Sequence, residues 1–341
     1  MNRIAWIDAA RGLGILLVVI GHALGGLIDS PLGAGQDGFR RAFFAIYTFH
    51  MPLFFLLSGL MITKRLEKGA WTFAKGLLPA IVWPYFLWSV VQYTLIYALG
   101  SLVNNPAEHY WPTILALPWN TVSQFWFLYA LFWMHVLAIV LLPRIDREGF
   151  VLLALALKAL VLILALPVAV KLVCNHLLFY AIGVWLAPAG LEKILLRHGS
   201  PIKAVVLSFL AVLVITATIA AVPDYGRDLP LLTASSPEIS NLAWRFPAMT
   251  AGIFGVAAVL AVASLPSVAS AKWLSFLGRM TMPIFVLHVM FIAGTRIVLT
   301  KLGLVTDPAI LLVILVVVGM AGPLIAERII HRLELKRFLG F

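Results

Sequence analysis

The chain has 341 residues, of which 62% are hydrophobic and 11% charged, and its mean hydropathy is +1.03. A soluble globular chain is about 45–50% apolar and about 25% charged, so these figures exclude an ordinary water-soluble domain, and they exclude a disordered chain as well. The formal net charge of +11 would suggest nucleic acid in a soluble protein; on a membrane protein it reads as orientation charge, and no nucleic-acid partner is expected.

A transmembrane helix consumes about 20 residues. The chain therefore reads as an all-α polytopic membrane protein of about ten transmembrane helices, one domain over 1–341, with no room for a soluble domain. Apolar stretches fall near 8–28, 42–62, 77–99, 123–143, 150–166, 172–189, 204–222, 243–265, 280–300 and 309–330. With both termini inside, 17 basic residues lie on inner segments and 7 on outer ones, while acidic residues divide evenly. That asymmetry predicts N-in/C-in. The start, MNRIAWIDAARG, runs directly into the first span, so an uncleaved first helix is expected. The single cysteine, Cys174, excludes an intrachain disulfide. The longest outer connections are 100–122 and 223–242, and WPTILALPW within the first suits an interfacial or re-entrant segment. Trp71, Trp83, Trp88, Trp111, Trp119, Trp126 and Trp273 sit near span ends, as an aromatic belt does.

An ionisable residue inside a span is expensive, roughly 2.5–3.5 kcal/mol for Arg or Asp at a helix centre. Such residues direct the search for chemistry. In span one, Arg11 and His22 are eleven residues apart, which at 100° per residue puts both on one stripe, about 16 Å apart along the axis. Asp8 lies one turn before Arg11, placed to cap the helix start or pair with the guanidinium. Gly21 and Gly25 form a small-xxx-small spacing that admits another backbone or a substrate chain. The plain alternative is that Arg11 snorkels and His22 bonds a neighbouring helix. In span two, Pro52 predicts a kink that frees the Thr48 carbonyl, with His50 at the kink and Ser58-Gly59 two turns further in. Lys64, Arg65, Lys68 and Lys75 follow, a set that suits either orientation or a polyphosphate ligand. Span nine repeats the pattern of an inner arginine, Arg279, and a deeper histidine, His288. Lys158 lies mid-span, His135 and His176 are single span histidines, and His109, His198 and His331 read as loop or tail residues. There is no GxGxxG, no Walker motif and no zinc spacing of Cys and His, and no metal site is expected.

These residues resemble the membrane acyltransferase-3 family. IDAARGLGILLVVIGHA, with Arg11 and His22, resembles its first-helix signature, and HMPLFFLLSGLMI (50–62) its second-helix motif. FWFLYALF (125–132), FYAIGVWL (179–186) and LGRMTMPIFVLH (277–288) match its later segments in type and order. The best match is the sugar and exopolysaccharide O-acetylase subgroup, without an appended esterase-like domain. The resemblance implies transfer of an acyl group, commonly acetyl, from cytoplasmic acyl-CoA to a hydroxyl of a carbohydrate or lipid-linked saccharide. It also implies residence among the lipids of a bacterial cytoplasmic (inner) membrane and no permanently bound cofactor. Carried over by position, His22 matches the family's essential histidine and Arg11 its paired basic residue, while Ser58 and Gly59 match its second-helix SG.

Elementary chemistry agrees with that reading. A neutral imidazole takes the proton of an attacking sugar hydroxyl, and the phosphates of the donor call for Arg11, Lys64 and Arg65 at the inner mouth. Asp8, His50, Ser58, Gly59, Arg279 and His288 are further candidates for lining the site. Direct attack with His22 as general base stands beside an acyl-enzyme on His22 or Ser58. A transporter or flippase of a lipid-linked saccharide is the alternative class, with His22, His50 and His288 along a path and Arg11 on an anion; it would favour inverted repeats, and none is visible. A non-catalytic assembly partner is the third.

Overall fold

The computed structural model describes residues 5–33, 35–164, 166–187, 200–221 and 242–341. Arg3, Lys193, Arg197, His198, Arg227 and nearly all of the 223–242 connection lie outside the described residues. Among the described residues the regular structure is helical throughout, with no strand. The helices are α1 (Ala5–Ile28), α2 (Asp37–Leu66), α3 (Ala70–Leu77), α4 (Trp83–Leu99), α5 (Tyr110–Ala116), α6 (Trp126–Leu141), α7 (Arg147–Ile163) and α8 (Val168–Leu186). They continue with α9 (Pro201–Ala221), α10 (Leu242–Ala263), α11 (Pro266–Ala269), α12 (Lys272–Arg279), α13 (Thr281–Lys301), α14 (Pro308–Arg332) and α15 (Lys336–Leu339).

Each of the ten predicted spans falls on a helix. Among the described residues, eight helical stretches are long and apolar enough to cross a membrane, with α3 and α4 joined into one by a π-helical turn at Leu78–Val82. The other two positions are held by α7 and α10. α7 has only 17 residues and carries Lys158 in its interior, whose ammonium donates to the carbonyl of Asn175 at 2.9 Å. The chain is thus an all-α polytopic membrane protein.

Lipid tails are as apolar as leucine, so helices in a membrane are held by close packing rather than by the hydrophobic effect. Two reciprocal glycine contacts supply it here. A Cβ on Gly12 of α1 would lie 2.2 Å from the carbonyl oxygen of Leu274, and one on Gly278 would lie 1.9 Å from that of Asp8, so α1 and α12 touch backbone to backbone. α2 and α8 repeat the device, through Gly59 against Tyr180 and Gly183 against Leu56. Gly59 therefore faces α8 and serves packing, which corrects its assignment to the site lining. Gly14, Gly21 and Gly25 of α1 receive rings instead of a backbone or substrate chain: Phe54, Tyr47 and Phe43 of α2. Asp8 lies inside the first turn of α1 rather than at its cap.

α2 runs without a break through Pro52. The Thr48 carbonyl that Pro52 cannot serve sits against Gly252 of α10, where a Cβ would lie 2.9 Å away. The connection after α4 folds back along it. The Tyr93 hydroxyl donates to the His109 carbonyl and to Thr113 at 3.1 and 3.0 Å, and the Tyr85 hydroxyl to the Leu117 carbonyl at 2.7 Å. Tyr93 to Tyr85 is about 12 Å of helix, so the 110–120 segment runs back alongside α4. The aromatic belt is reduced: Trp71, Trp83, Trp111, Trp119 and Trp273 are exposed, but Trp88 is buried and donates to the carbonyl of Leu339 at 2.9 Å. Trp126 packs on the ring of His176.

The glycine contacts make a direct prediction. Gly183→Val and Gly278→Val drive a side chain into an opposing carbonyl, an overpacking cost of about 1–3 kcal/mol or more. Both are expected to lower the melting temperature of the detergent-purified protein. Gly294→Val, with nothing within 4 Å of its Cβ position, is the matched control and is expected to melt like the parent. Equal melting of all four proteins would refute the packing argument.

Candidate active site

One face of α1 builds the site. Arg11, Ile15 and Val18 line a cavity of about 290 Å³ at one end of the bundle, and His22, Gly25, Gly26 and Asp29 line a second, of about 730 Å³, at the other. The steps of three and four residues are those of a single helical stripe. The expected alignment of Arg11 with His22 thus holds, and it extends to Asp29. α2 and α13 follow the same course. α2 contributes Arg65, Ser58 and Phe54 to the first cavity and Tyr47 and Phe43 to the second. α13 contributes Thr281 and Phe285 to the first and Ile292 and Arg296 to the second.

The smaller cavity gathers three guanidinium groups, Arg11, Arg65 and Arg279, and no acidic side chain lines it among the described residues. The charge count had placed all three on the inner side. Ser58 and His135 also line it, and the hydroxyl of Tyr180 lies 2.8 Å from His135 Nδ1. Lys64, assigned to the donor phosphates from sequence, is the exposed neighbour of Arg65 and, unlike it, does not line the cavity. Arginines beside low-dielectric walls attract a polyanion strongly, and their planar forks suit phosphate.

At the inner edge of the larger cavity, three histidines from three helices meet. The ring centroids of His22 and His288 are 4.8 Å apart, and Tyr47 lies 5.9 Å from His22 and 4.5 Å from His50. The Tyr47 hydroxyl is 3.4 Å from His22 Nδ1. His50 and His288 are completely buried, whereas His22 is partly open to the cavity. Each buried histidine donates Nδ1–H to the carbonyl four residues back, Ile46 at 2.8 Å and Ile284 at 2.9 Å. A carbonyl cannot donate, so both carry a bare Nε2 lone pair, and neither Nε2 has a partner. Among the described residues no group of three or more His, Cys, Asp or Glu side chains is arranged to hold a metal ion.

Sequence reading missed several lining residues. Arg296 was counted only as an outer positive charge, yet it is buried in the cavity wall at 7% exposure. Its signal was available, since His288, Ile292 and Arg296 recur every four residues along α13. Tyr47 stands three residues before His50, the spacing of side chains sharing a face. Gln92 and Asn104 had no sequence signal. Gln92 exchanges amide hydrogen bonds of 2.9 and 2.7 Å with Gln124, and Asn104 donates to the Gly26 carbonyl at 2.9 Å.

Comparison with known proteins shows the family. The acyltransferase domain family matches residues 4–328. The chain belongs to that family, and the eight apolar helical stretches among its described residues are those of an integral membrane protein. Among curated proteins it is similar to the nodulation protein NolL of Mesorhizobium japonicum, 34% identical over 148 residues, which is 41% of this chain and 36% of that protein. It is also similar to the NolL of Sinorhizobium fredii, 27% identical over 181 residues, 50% of this chain and 44% of that one. The matches thus span less than half the length of these curated relatives. No solved structure matches.

The two cavities give an orientation test. In a Cys174→Ala background, Arg65→Cys is expected to react with a membrane-impermeant thiol reagent only from the cytoplasmic face, and Glu108→Cys only from the opposite face. The reverse labelling pattern would invert the N-in/C-in assignment.

Proposed function

We propose that this protein is a membrane O-acyltransferase. It takes an acyl group, acetyl in the simplest case, from acyl-CoA held at the smaller cavity and passes it to a carbohydrate hydroxyl held in the larger one. The observation that carries this reading is the single α1 stripe that runs from a three-arginine cavity to a histidine at the edge of a second cavity. Family membership supports acyl transfer as the chemistry.

The donor's phosphates meet Arg11, Arg65 and Arg279, and its extended thiol arm runs along α1 for the roughly 16 Å between Arg11 and His22. The acceptor hydroxyl reaches His22 from the other side, among Tyr47, Asp29, Gln92 and Arg296, a mixed polar and aromatic lining suited to a saccharide. As the hydroxyl oxygen bonds to the thioester carbon, His22 takes its proton. The C–S bond then breaks, and the imidazolium returns that proton to the departing thiolate. Oxygen is acylated, CoA leaves as the free thiol, and the histidine is restored. The proposed acceptor is a carbohydrate or lipid-linked saccharide, and the proposed location is the bacterial cytoplasmic membrane.

His22→Ala is expected to abolish O-acyl groups on the surface polysaccharide of an expressing strain, with the unmodified polymer still exported. Unchanged acylation would remove His22 from the chemistry, and loss of export would favour a transporter of the saccharide instead. Ser58→Ala is expected to keep most activity, because direct transfer needs no serine ester; complete loss would favour the acyl-enzyme route.

The donor site is tested separately. A charge-assisted hydrogen bond contributes about 1.5–3 kcal/mol, so Arg11→Ala or Arg279→Ala is expected to raise the KM for acetyl-CoA about tenfold or more. An unchanged KM in both variants would move the donor elsewhere.

A further inference from the structure

Arg11, Arg65 and Arg279 share the smaller cavity. Like charges repel, and a long arginine side chain gains rotamer entropy by turning out to solvent. Arg65 is placed to do so, since it stands in the last turn of α2 and is exposed overall. What it touches comes from the next helix. Its guanidinium carbon lies over the Phe73 ring of α3, 5.6 Å from the centroid, within the range at which a ring face attracts a cation. The His135 ring of α6 meets Phe73 edge to face at 5.2 Å and 80°. The Tyr180 hydroxyl of α8 lies 2.8 Å from His135 Nδ1, and the Tyr180 carbonyl is the one pressed on Gly59 of α2. These contacts close a circuit. It runs from α2 to α8 through glycine, from α8 to α6 through a hydrogen bond, from α6 to α3 through rings, and from α3 back to the end of α2 at Arg65.

We propose that Phe73 is a positioning residue of the donor site, whose ring holds the Arg65 guanidinium at the cavity where a phosphate of acyl-CoA is received. Phe73 does not itself line that cavity, so it acts through Arg65. The ligand rests on the acyl-transfer reading; the position of the guanidinium does not. A carboxylate in place of the ring would hold the arginine more firmly, but it would neutralise charge the phosphates need and occupy the same N–H donors. A π face attracts the cation and leaves its N–H groups available for a phosphate.

Phe73 also packs against the hydrophobic core, and plain packing is the competing role. The two differ in what depends on Arg65. Packing contributes whether or not the guanidinium is present, whereas positioning has no object without it. The size of the effect follows from populations. Ligand binding weakens in proportion to the time the binding-competent arrangement is lost, and a cation–π contact at an exposed site shifts that balance about two- to fivefold.

Calorimetric titration of the detergent-purified protein with coenzyme A reads the effect directly. Phe73→Leu keeps an apolar side chain at this half-buried position and is expected to weaken binding about two- to fivefold. Phe73→Tyr retains the π face and is expected to bind as the parent does. In an Arg65→Ala background, Phe73→Leu is expected to cause no further loss. Phe73→Met carries the same expectations if the leucine protein does not fold. Equal losses in the two backgrounds, or unchanged binding in Phe73→Leu, would overturn the proposal. The holding has its own signature in proton NMR. The Arg65 Hε signal, assigned by its loss in Arg65→Lys, is expected to be displaced by the ring current and to move toward its random-coil position in Phe73→Leu; a signal that does not move would also overturn it. A wild-type protein that binds no coenzyme A would count against the acyl-transfer reading instead, and the Arg65 signal would still decide this one.

Discussion

The close approach of α1 to α12 and of α2 to α8, each made by a pair of glycines, is the contact on which the site depends. In a bilayer, side chains gain little by leaving lipid for a neighbour of equal polarity. What holds helices at one rotation is backbone contact too tight to slide. With Gly12 pressed on Leu274 and Gly278 on Asp8, α1 cannot turn about its axis. The stripe of Arg11, Ile15, Val18 and His22 is then committed to the interior. The second contact does the same for α2. Gly59 and Gly183 lock the side facing α8, which turns Tyr47, Phe54 and Ser58 toward the cavities.

Polarity inside this frame is distributed by cost. Arginine stands where a cavity opens at an end of the bundle, as Arg11, Arg65 and Arg279 do at one end and Arg296 at the other. Lys158 is answered by a backbone carbonyl, and Glu327 pairs with Lys336 at 2.5 Å. Between them cluster His22, His50, His288 and Tyr47, groups that are functional while neutral. Two of the histidines, His50 and His288, spend their Nδ1 protons on their own helices. That choice makes each a fixed acceptor and removes the tautomeric ambiguity that a free imidazole would bring to a reactive centre.

What could be read from the sequence was what one helix decides by itself. The ten helical positions follow from apolar runs, and the Arg11–His22 alignment follows from an eleven-residue spacing. His22, His50 and His288 stood out because polar residues in spans are rare. Relations between helices were not legible. Gly59 in the SG pair looked like site lining but faces α8, and Lys64 looked like its neighbour Arg65 but does not line the cavity. Trp88 had the position of a belt residue and became a buried donor to Leu339. Arg296 was counted only as an outer charge, although its spacing to His288 carried the missing information. In each case the local pattern allowed two environments, and a contact distant in sequence chose between them.

The partition between the cavities remains to be explained. Two water-accessible hollows placed end to end would form a leak, and the lining of the smaller one includes Met51, Phe54, Phe127 and Phe285. These residues are buried in one cluster, with ring centroids 6.0 Å apart for Phe54 and Phe127 and 5.5 Å for Phe127 and Phe285. Phe54 is seated on Gly14, where a Cβ would lie 2.9 Å from its ring, so that glycine sets how far the ring reaches across. A wall of rings excludes ions and hydrated groups, because none of its atoms replaces a hydration shell. A thin, uncharged thioester arm makes no such demand. Under the proposed function, with an acyl group passing between the two sides, such a wall would select by solvation rather than by fit and would keep the charged part of the donor with the arginines.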